Sequence, residues 1–353
     1  MKKFSIIFIS VLYLLSLSFS CAFQDKTLDK KIGQMIIVGF EGNNTNSKGL
    51  KRVLKQLKNG DIGGVILFNK NISSKEDLIK MNEKILSSAE ITPFIATDNE
   101  GGMVQRYDFV KFASAKTVST FTEKEAGIHY SGMAKFEKEL KINLNFAPVV
   151  DLNINKNSII NKKERSYGDN PDIVTKYASI FIDEHNKNKI ITSVKHFPGH
   201  GSVKGDTHLG FVDATNVFQD KELEPYKNLK DKKMNMVMVS HIFNSNFDKE
   251  YPASLSKNTI DILRNQIGFK GVIISDDYDM GAIRDRYSIG EIAKNSINAG
   301  VNILLFSNNL KYKDEKIVKK LHKAIKKEIK KGTVKESQID DSYRKIMALK
   351  QEL

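Results

Sequence analysis

The sequence predicts a single (β/α)8 TIM barrel, and three observations carry that prediction. Eight short apolar runs rich in Val, Ile and Phe recur along the chain, helical patterns lie between them, and nearly every run ends in a group capable of chemistry. Continuous apolar runs of this length suit parallel strands buried on both faces. Strand and helix alternating eight times is the count of a closed barrel, whose active site lies at the C-terminal strand ends. With 353 residues and 40% hydrophobic content, the chain reads as globular. Residues 23–353 suit one barrel with insertions and leave no room for a second domain.

Taken in order, the first two runs are QMIIVGF, residues 34–40, and GGVILF, residues 63–68. The segment SSKEDLIKMNEKILSSA follows with a helical pattern, opened by a capping box of Ser73 with Glu76. The third run, PFIATD, ends at Asp98; the chain then turns at Gly101 and Gly102 and reaches Arg106. The fourth, NLNFAPVVD, ends at Asp151 and is followed by ERSYG with Arg165. The fifth, ITSVKHF, delivers Lys195 and His196, and the sixth, MNMVMVSH, delivers Ser240 and His241. The seventh, GVIISDD, ends in adjacent aspartates, of which Asp276 shares the parity of Val272 and Ile274 and so faces the barrel mouth. Asp277 is better suited to cap the helix that follows. The eighth, NILLFSNN, brings Asn308.

The opening MKKFSIIFISVLYLLSLSFSCAFQ places Lys2 and Lys3 before an apolar run with no further charge until Asp25. That is the pattern of a secretory signal, so the chain is expected to be exported, to the periplasm or another extracytoplasmic site. Residues 1–22 would be a cleaved signal. Cys21 could instead be a lipidated first residue, and the uncharged run also approaches the length of a bilayer span, so either offers a membrane tether. Cys21 is the single cysteine, which excludes a disulfide or thiolate metal cluster within one chain. A net charge of +14 would draw an exported protein to anionic envelope polymers. Nucleic acid is a poor partner, because the lysines lie in spaced helical patterns such as EKIVKKLHKAIKKEIKK, which read as a solvated face around an apolar stripe.

The stretch KHFPGHGSVKGDTH, residues 195–208, holds three of the seven histidines. His196 and His200 have the spacing of a helical zinc pair, but Pro198 and Gly199 between them break such a helix. In the plainer reading His200 satisfies backbone groups in a tight turn. Asp206 and His208 lie two apart, so in an extended loop the carboxylate can orient the imidazole and support its charged form. Gly199, Gly201 and Gly205 give the loop freedom to act as a lid, with His208 away from Asp276 in the empty protein and swinging in over substrate. At the mouth, Asp98, Arg106, Arg165, Lys195 and His196 would make directed hydrogen bonds to a hydroxyl-rich ligand.

The ordered set DNEGGMVQR, APVVDLN, ERSYG, KHFPGHG followed by DTH, and SDDYDM resembles glycoside hydrolase family 3 from about Lys30 to Asn309, specifically its single-domain bacterial β-N-acetylglucosaminidases acting on peptidoglycan fragments. That resemblance implies a retaining mechanism with Asp276 as nucleophile, His208 as general acid/base and Asp206 as its partner. It implies sugar binding by Asp98, Arg106, Arg165, Lys195 and His196, a GlcNAc-containing glycan such as a muropeptide as substrate, and no metal or cofactor. Met103 departs from the family's usual Arg. Other outcomes remain open: another β-glycoside specificity, a phosphorylase, a metal-dependent hydrolase using His196, His200, His208 and Asp276, or a wall-binding protein without catalysis.

Overall fold

The computed structural model describes residues 27–353 apart from Lys233. The expected signal and Cys21 lie outside the described residues. All eight apolar runs form strands: β1 Ile36–Val38, β2 Gly64–Leu67, β3 Phe94–Thr97, β4 Leu144–Asn145, β5 Ile191–Phe197, β6 Met236–Val239, β7 Val272–Ser275 and β8 Leu304–Phe306. Each pairs in parallel with its sequence neighbour from β1 to β7, and β1 also pairs with β8. A parallel bridge between Ile274 and Ile303 and the Ser275 N–H to Ile303 carbonyl bond of 3.0 Å join β7 to the approach of β8. The eight strands therefore form a barrel.

The connecting helices are α1 Leu28–Gln34, α2 Lys48–Asn59, α3 Lys75–Ser87, α4 Glu123–Glu139, α5 Pro171–Lys187, α6 Glu224–Leu229, α7 Lys257–Asp261, α8 Ile289–Ala299, α9 Ile317–Lys330 and α10 Glu336–Lys350. Their ends follow local chemistry. Thr122 with Glu125 and Ser288 with Glu291 form capping boxes at α4 and α8. Gly60, at φ +78, ends α2, where only a residue at ease in the left-handed region lets its N–H reach the last carbonyls. At α3 the cap is Ser74, whose hydroxyl accepts from Asp77 N–H at 3.1 Å, rather than the expected Ser73 with Glu76. Two consecutive serines made the register ambiguous; Ser73 instead bonds the Asn43 carbonyl and the Asp77 carboxylate.

Every strand residue is buried, as strands covered on both faces require. Alternation sorts them into two packed groups: Met236, Met238, Val272 and Ile274 join one, and Val237, Val239 and Ile273 join the other. The parity that places Asp276 with Val272 and Ile274 therefore continues past the strand end. Beneath the barrel α10 packs on α1, and Lys350 reaches inward to the Gln34 side chain at 2.8 Å and the Gly63 carbonyl at 2.7 Å. Two local features position the site. Beyond β4 the chain runs on beside β5, with Val150 N–H bonded to the Lys195 carbonyl at 2.8 Å, which carries Asp151 alongside His196. The β5–β6 register shifts between Val194 and Phe197. Such an irregularity re-aims side chains, and the consecutive Lys195 and His196 both line the cavity described next.

Candidate active site

At the C-terminal ends of the strands lies a cavity of about 280 Å³, lined by Asp98, Glu100, Arg106, Arg165, Lys195, His196, His208 and Asp276 among others. It brings together every residue expected to bind sugar or act in catalysis except Asp206, which stands directly behind His208. Much of the lining is one ladder of alternating charge. Arg106 Nη2 lies 2.8 Å and Lys195 Nζ 2.9 Å from the Asp98 carboxylate. Lys195 also reaches Glu100 at 2.6 Å, and Glu100 grips Arg165 through Nε at 2.7 Å and Nη2 at 2.8 Å. Arg165 Nη2 then meets His196 Nε2 at 3.2 Å, and His196 Nδ1 meets Asp151 at 2.6 Å.

Buried charges persist when each has a partner of the other sign. Burial would raise the Asp98 carboxyl, but Lys195 and Arg106 hold it well below the usual carboxylate range. Glu100 is likewise pulled down to about 2 by Arg165 and Lys195 against its burial. Burial would lower Lys195, yet Asp98 and Glu100 raise it, so its charge is secure at neutral pH. Glu100 and Asp151 were not assigned site roles from the sequence. Glu100 had a readable signal, since it lies two residues from Asp98 and shares its parity.

The alternative reading, a metal site, meets a specific geometry. Both ring nitrogens of His196 are engaged, Nδ1 by a carboxylate and Nε2 by a guanidinium. His200 is buried in the turn; its own N–H donates to Asp151 at 2.8 Å, and burial, with His196 beside it, lowers the ring to about 4. Among the described residues no group of three or more His, Cys, Asp or Glu is disposed to hold a metal ion.

Asp276 extends from β7, and its carboxylate accepts the Asp277 N–H at 2.7 Å. Burial would raise it, but His241, His196 and His208 lower it, so it stands ionised. Asp277 is structural, though not as the expected helix cap: the short helix Gly281–Arg284 starts after Met280, with no side-chain cap. Asp277 instead accepts from Asp279 N–H at 3.0 Å and Ser307 N–H at 2.9 Å, with the Ser307 hydroxyl also bonded to it, and so ties the turn after β7 to the end of β8. His241 supports the same turn from β6, with Nε2 at 2.9 Å from the Asp277 carbonyl and Nδ1 at 2.8 Å from Ser254 Oγ.

His208 Nδ1 lies 2.7 Å from the Asp206 carboxylate, which also accepts the His208 N–H at 3.0 Å. The pair is set by this tight turn, closed by Leu209 N–H on the Asp206 carbonyl, rather than by an extended strand. Burial would lower His208, but Asp206 and the charge of Asp276 raise it. The loop that carries the pair is docked on the fold. Glu222 accepts from the N–H groups of Gly201 and Ser202, and the Gly281 N–H and Ala282 N–H reach the carbonyls of His208 and Thr207 at 3.2 Å. A Cβ at Gly281 would come within 3.1 Å of the His208 and Leu209 carbonyls, so glycine there eases the close approach of the loop to the helix.

A barrel mouth that holds an ionised aspartate and an Asp-supported histidine beside a polar, charge-paired cradle suits the hydrolysis of a glycoside. The chain belongs to glycosyl hydrolase family 3: residues 27–349 match the Glycosyl hydrolase family 3 N terminal domain. A β-hexosaminidase of Actinobacillus pleuropneumoniae is 33% identical over 306 residues, 80% of this chain and 87% of that protein. An uncharacterized secreted glycosyl hydrolase of Arthroderma benhamiae is 30% identical over 317 residues, 85% of this chain and 87% of its own length. The family 3 β-N-acetylglucosaminidase of Paenibacillus sp. str. FPU-7 superimposes with a TM-score of 0.85 at 28% identity, over 93% of this chain, which spans 62% of that one.

Proposed function

We propose that this protein is a retaining exo-β-N-acetylglucosaminidase that removes terminal GlcNAc from peptidoglycan-derived glycans outside the cytoplasm. The observation that carries the chemistry is the pairing of His208 with Asp206 across the cavity from the ionised Asp276. In the first step an Asp276 oxygen attacks the anomeric carbon as the bond to the leaving oxygen breaks. His208 donates the proton that oxygen needs, from Nε2, since Nδ1 is held by Asp206. In the second step His208 takes a proton from water, which displaces Asp276 and restores the original anomeric configuration. A histidine suits this double duty because its pKa lies near the working pH.

Asp98, Arg106, Arg165, Lys195 and His196 would bind the sugar hydroxyls through charge-assisted bonds. The N-acetyl preference is supported by relatives named β-hexosaminidase and β-N-acetylglucosaminidase. Export is supported by the opening apolar segment and by a relative named as secreted, and the same segment or Cys21 would tether the protein to a membrane. The test is release of chromophore from a β-N-acetylglucosaminide by wild type and Asp276→Ala, with and without EDTA and with added phosphate. EDTA-resistant, phosphate-independent activity lost in the variant is expected; activity abolished by EDTA would replace this mechanism with a metal-dependent one.

A further inference from the structure

Positive charge is unevenly spread over the barrel. Helix α2 carries five basic residues and no acidic one, and α9 carries six lysines against one glutamate, so these two helices hold +10 of the chain's formal +14. Elsewhere signs are mixed; α3 has three of each. The α2 and α9 helices are neighbours on the barrel wall, since β1 pairs with β8. Arg52 of α2 meets Glu315, just before α9, at 2.9 Å, and His322 of α9 meets the Asp61 carbonyl, just after α2, at 2.8 Å. Lys51, Lys55 and Lys58 form one exposed stripe, and Lys319, Lys323 and Lys327 another. None of the six makes an ion pair with a described residue, whereas Lys320 and Lys326 nearby are paired with Asp314 and Asp29.

The chain joins the fold at this same place. Helix α1 begins at Leu28; Asp29 lies 2.7 Å from Lys326 of α9, and Lys30 packs against Gly60 at the end of α2. Residues 4–24, which precede this junction, carry no charge. The described chain therefore begins at the edge of the molecule that carries the lysine face.

We propose that the outer face of α2 and α9 docks on the anionic phosphate head groups of a lipid bilayer, next to the point where the N-terminal segment reaches that bilayer. Unpaired lysines on short-range display gain most from such a surface, because each adds attraction that falls off within a Debye length. Mixed-sign helices would gain little. The site mouth lies at the strand ends and not on this face, so docking leaves it open. The proposal extends the membrane-tether part of the function proposed above, and the two are separable by lipid composition.

The experiment is flotation of the full chain with vesicles of phosphatidylcholine alone and with about 30% phosphatidylglycerol. Wild type is compared with a variant carrying Lys51→Gln, Lys55→Gln, Lys319→Gln, Lys323→Gln and Lys327→Gln. Unchanged glycosidase activity and thermal midpoint establish that the variant is folded. The anionic lipid is expected to raise wild-type partition by about 30-fold or more at 0.1 M salt, the effect of two lysines at the surface. The variant and 1 M salt should both remove that increment. Binding to phosphatidylcholine alone reports the apolar tether, and its absence counts against the tether only. Equal partition of wild type and variant onto anionic vesicles would overturn the proposal, as would lysine-dependent binding to heparin with none to vesicles, which would assign the face to an anionic polysaccharide.

Discussion

Replacing Glu100 by glutamine removes one negative charge from the centre of the buried ladder while keeping the side chain's shape. Its carboxyl falls from 4.5 to about 2 through Arg165 and Lys195, despite burial. A carboxyl depressed by roughly that much contributes about 3 kcal/mol of folding stability at neutral pH. The folded pKa lies below the unfolded one, so this contribution is complete above about pH 4.5 and is lost as pH falls toward 2. Glutamine does not titrate and still accepts one hydrogen bond, so about 3 kcal/mol is an upper bound on the gap between the proteins at pH 7. Urea unfolding followed by circular dichroism at pH 7, 4 and 3 measures it. The gap should be largest at pH 7 and shrink at pH 3. A gap of equal size at both ends would mean that packing, not charge pairing, is lost, and no gap at all would refute the ladder as a source of stability. The KM should also rise by about tenfold or more, because Arg165 and Lys195 lose the partner that aims them into the cavity.

Two further outcomes follow from the same geometry. Asp206→Asn removes the contact that most raises His208 and should move the basic limb of the kcat/KM profile to lower pH, with kcat falling by about 100-fold; an unmoved basic limb would assign that limb to another group. Lys350 is lowered to about 7 by burial beneath the barrel. Its folded pKa lies below its unfolded value, so the penalty is full below about pH 7 and relieved on the way to 10.5. Wild-type stability should therefore climb by at most about 5 kcal/mol over that range, reduced by what the Gln34 and Gly63 oxygens return to the charged form. Thermal midpoints of wild type and Lys350→Met at pH 7 and 9 measure this, and parallel curves would show that Lys350 stays protonated.

The barrel was legible because its strands are buried on both faces, so each reads as an unbroken apolar run, and because the strand ends concentrate polar groups. The ladder's members were legible only one at a time. Strand position places Asp98, Lys195 and His196 at the mouth, but nothing local says that Glu100 will clasp Arg165 from the loop beyond the neighbouring strand, 65 residues away in the chain. Asp151 was visible as a strand end and silent as a partner, because its contact with His196 depends on β4 running on beside β5 beyond its last regular pair. The docking contacts of the loop were silent for a related reason. Glycines announce freedom, yet Gly281 and Gly201 serve close approach: the first to the His208 carbonyl and the second to the Leu152 carbonyl.

The site divides into two electrostatic compartments, and that division constrains the catalytic pH dependence. Within the ladder, Asp98, Glu100 and Asp151 are all lowered and Lys195 is raised, so these four charges stay fixed through the neutral range. His208 stands outside it, on a loop, with its side chain 53% exposed and one carboxylate partner. Its protonation can therefore change during a turnover without a buried charge losing its counter-ion. A proton donor built into the ladder would leave such a charge uncompensated each time it acted. In the proposed mechanism, an acid/base residue on the loop, apart from the charge-paired cradle at the strand ends, thus lets the cradle remain rigid while the proton moves.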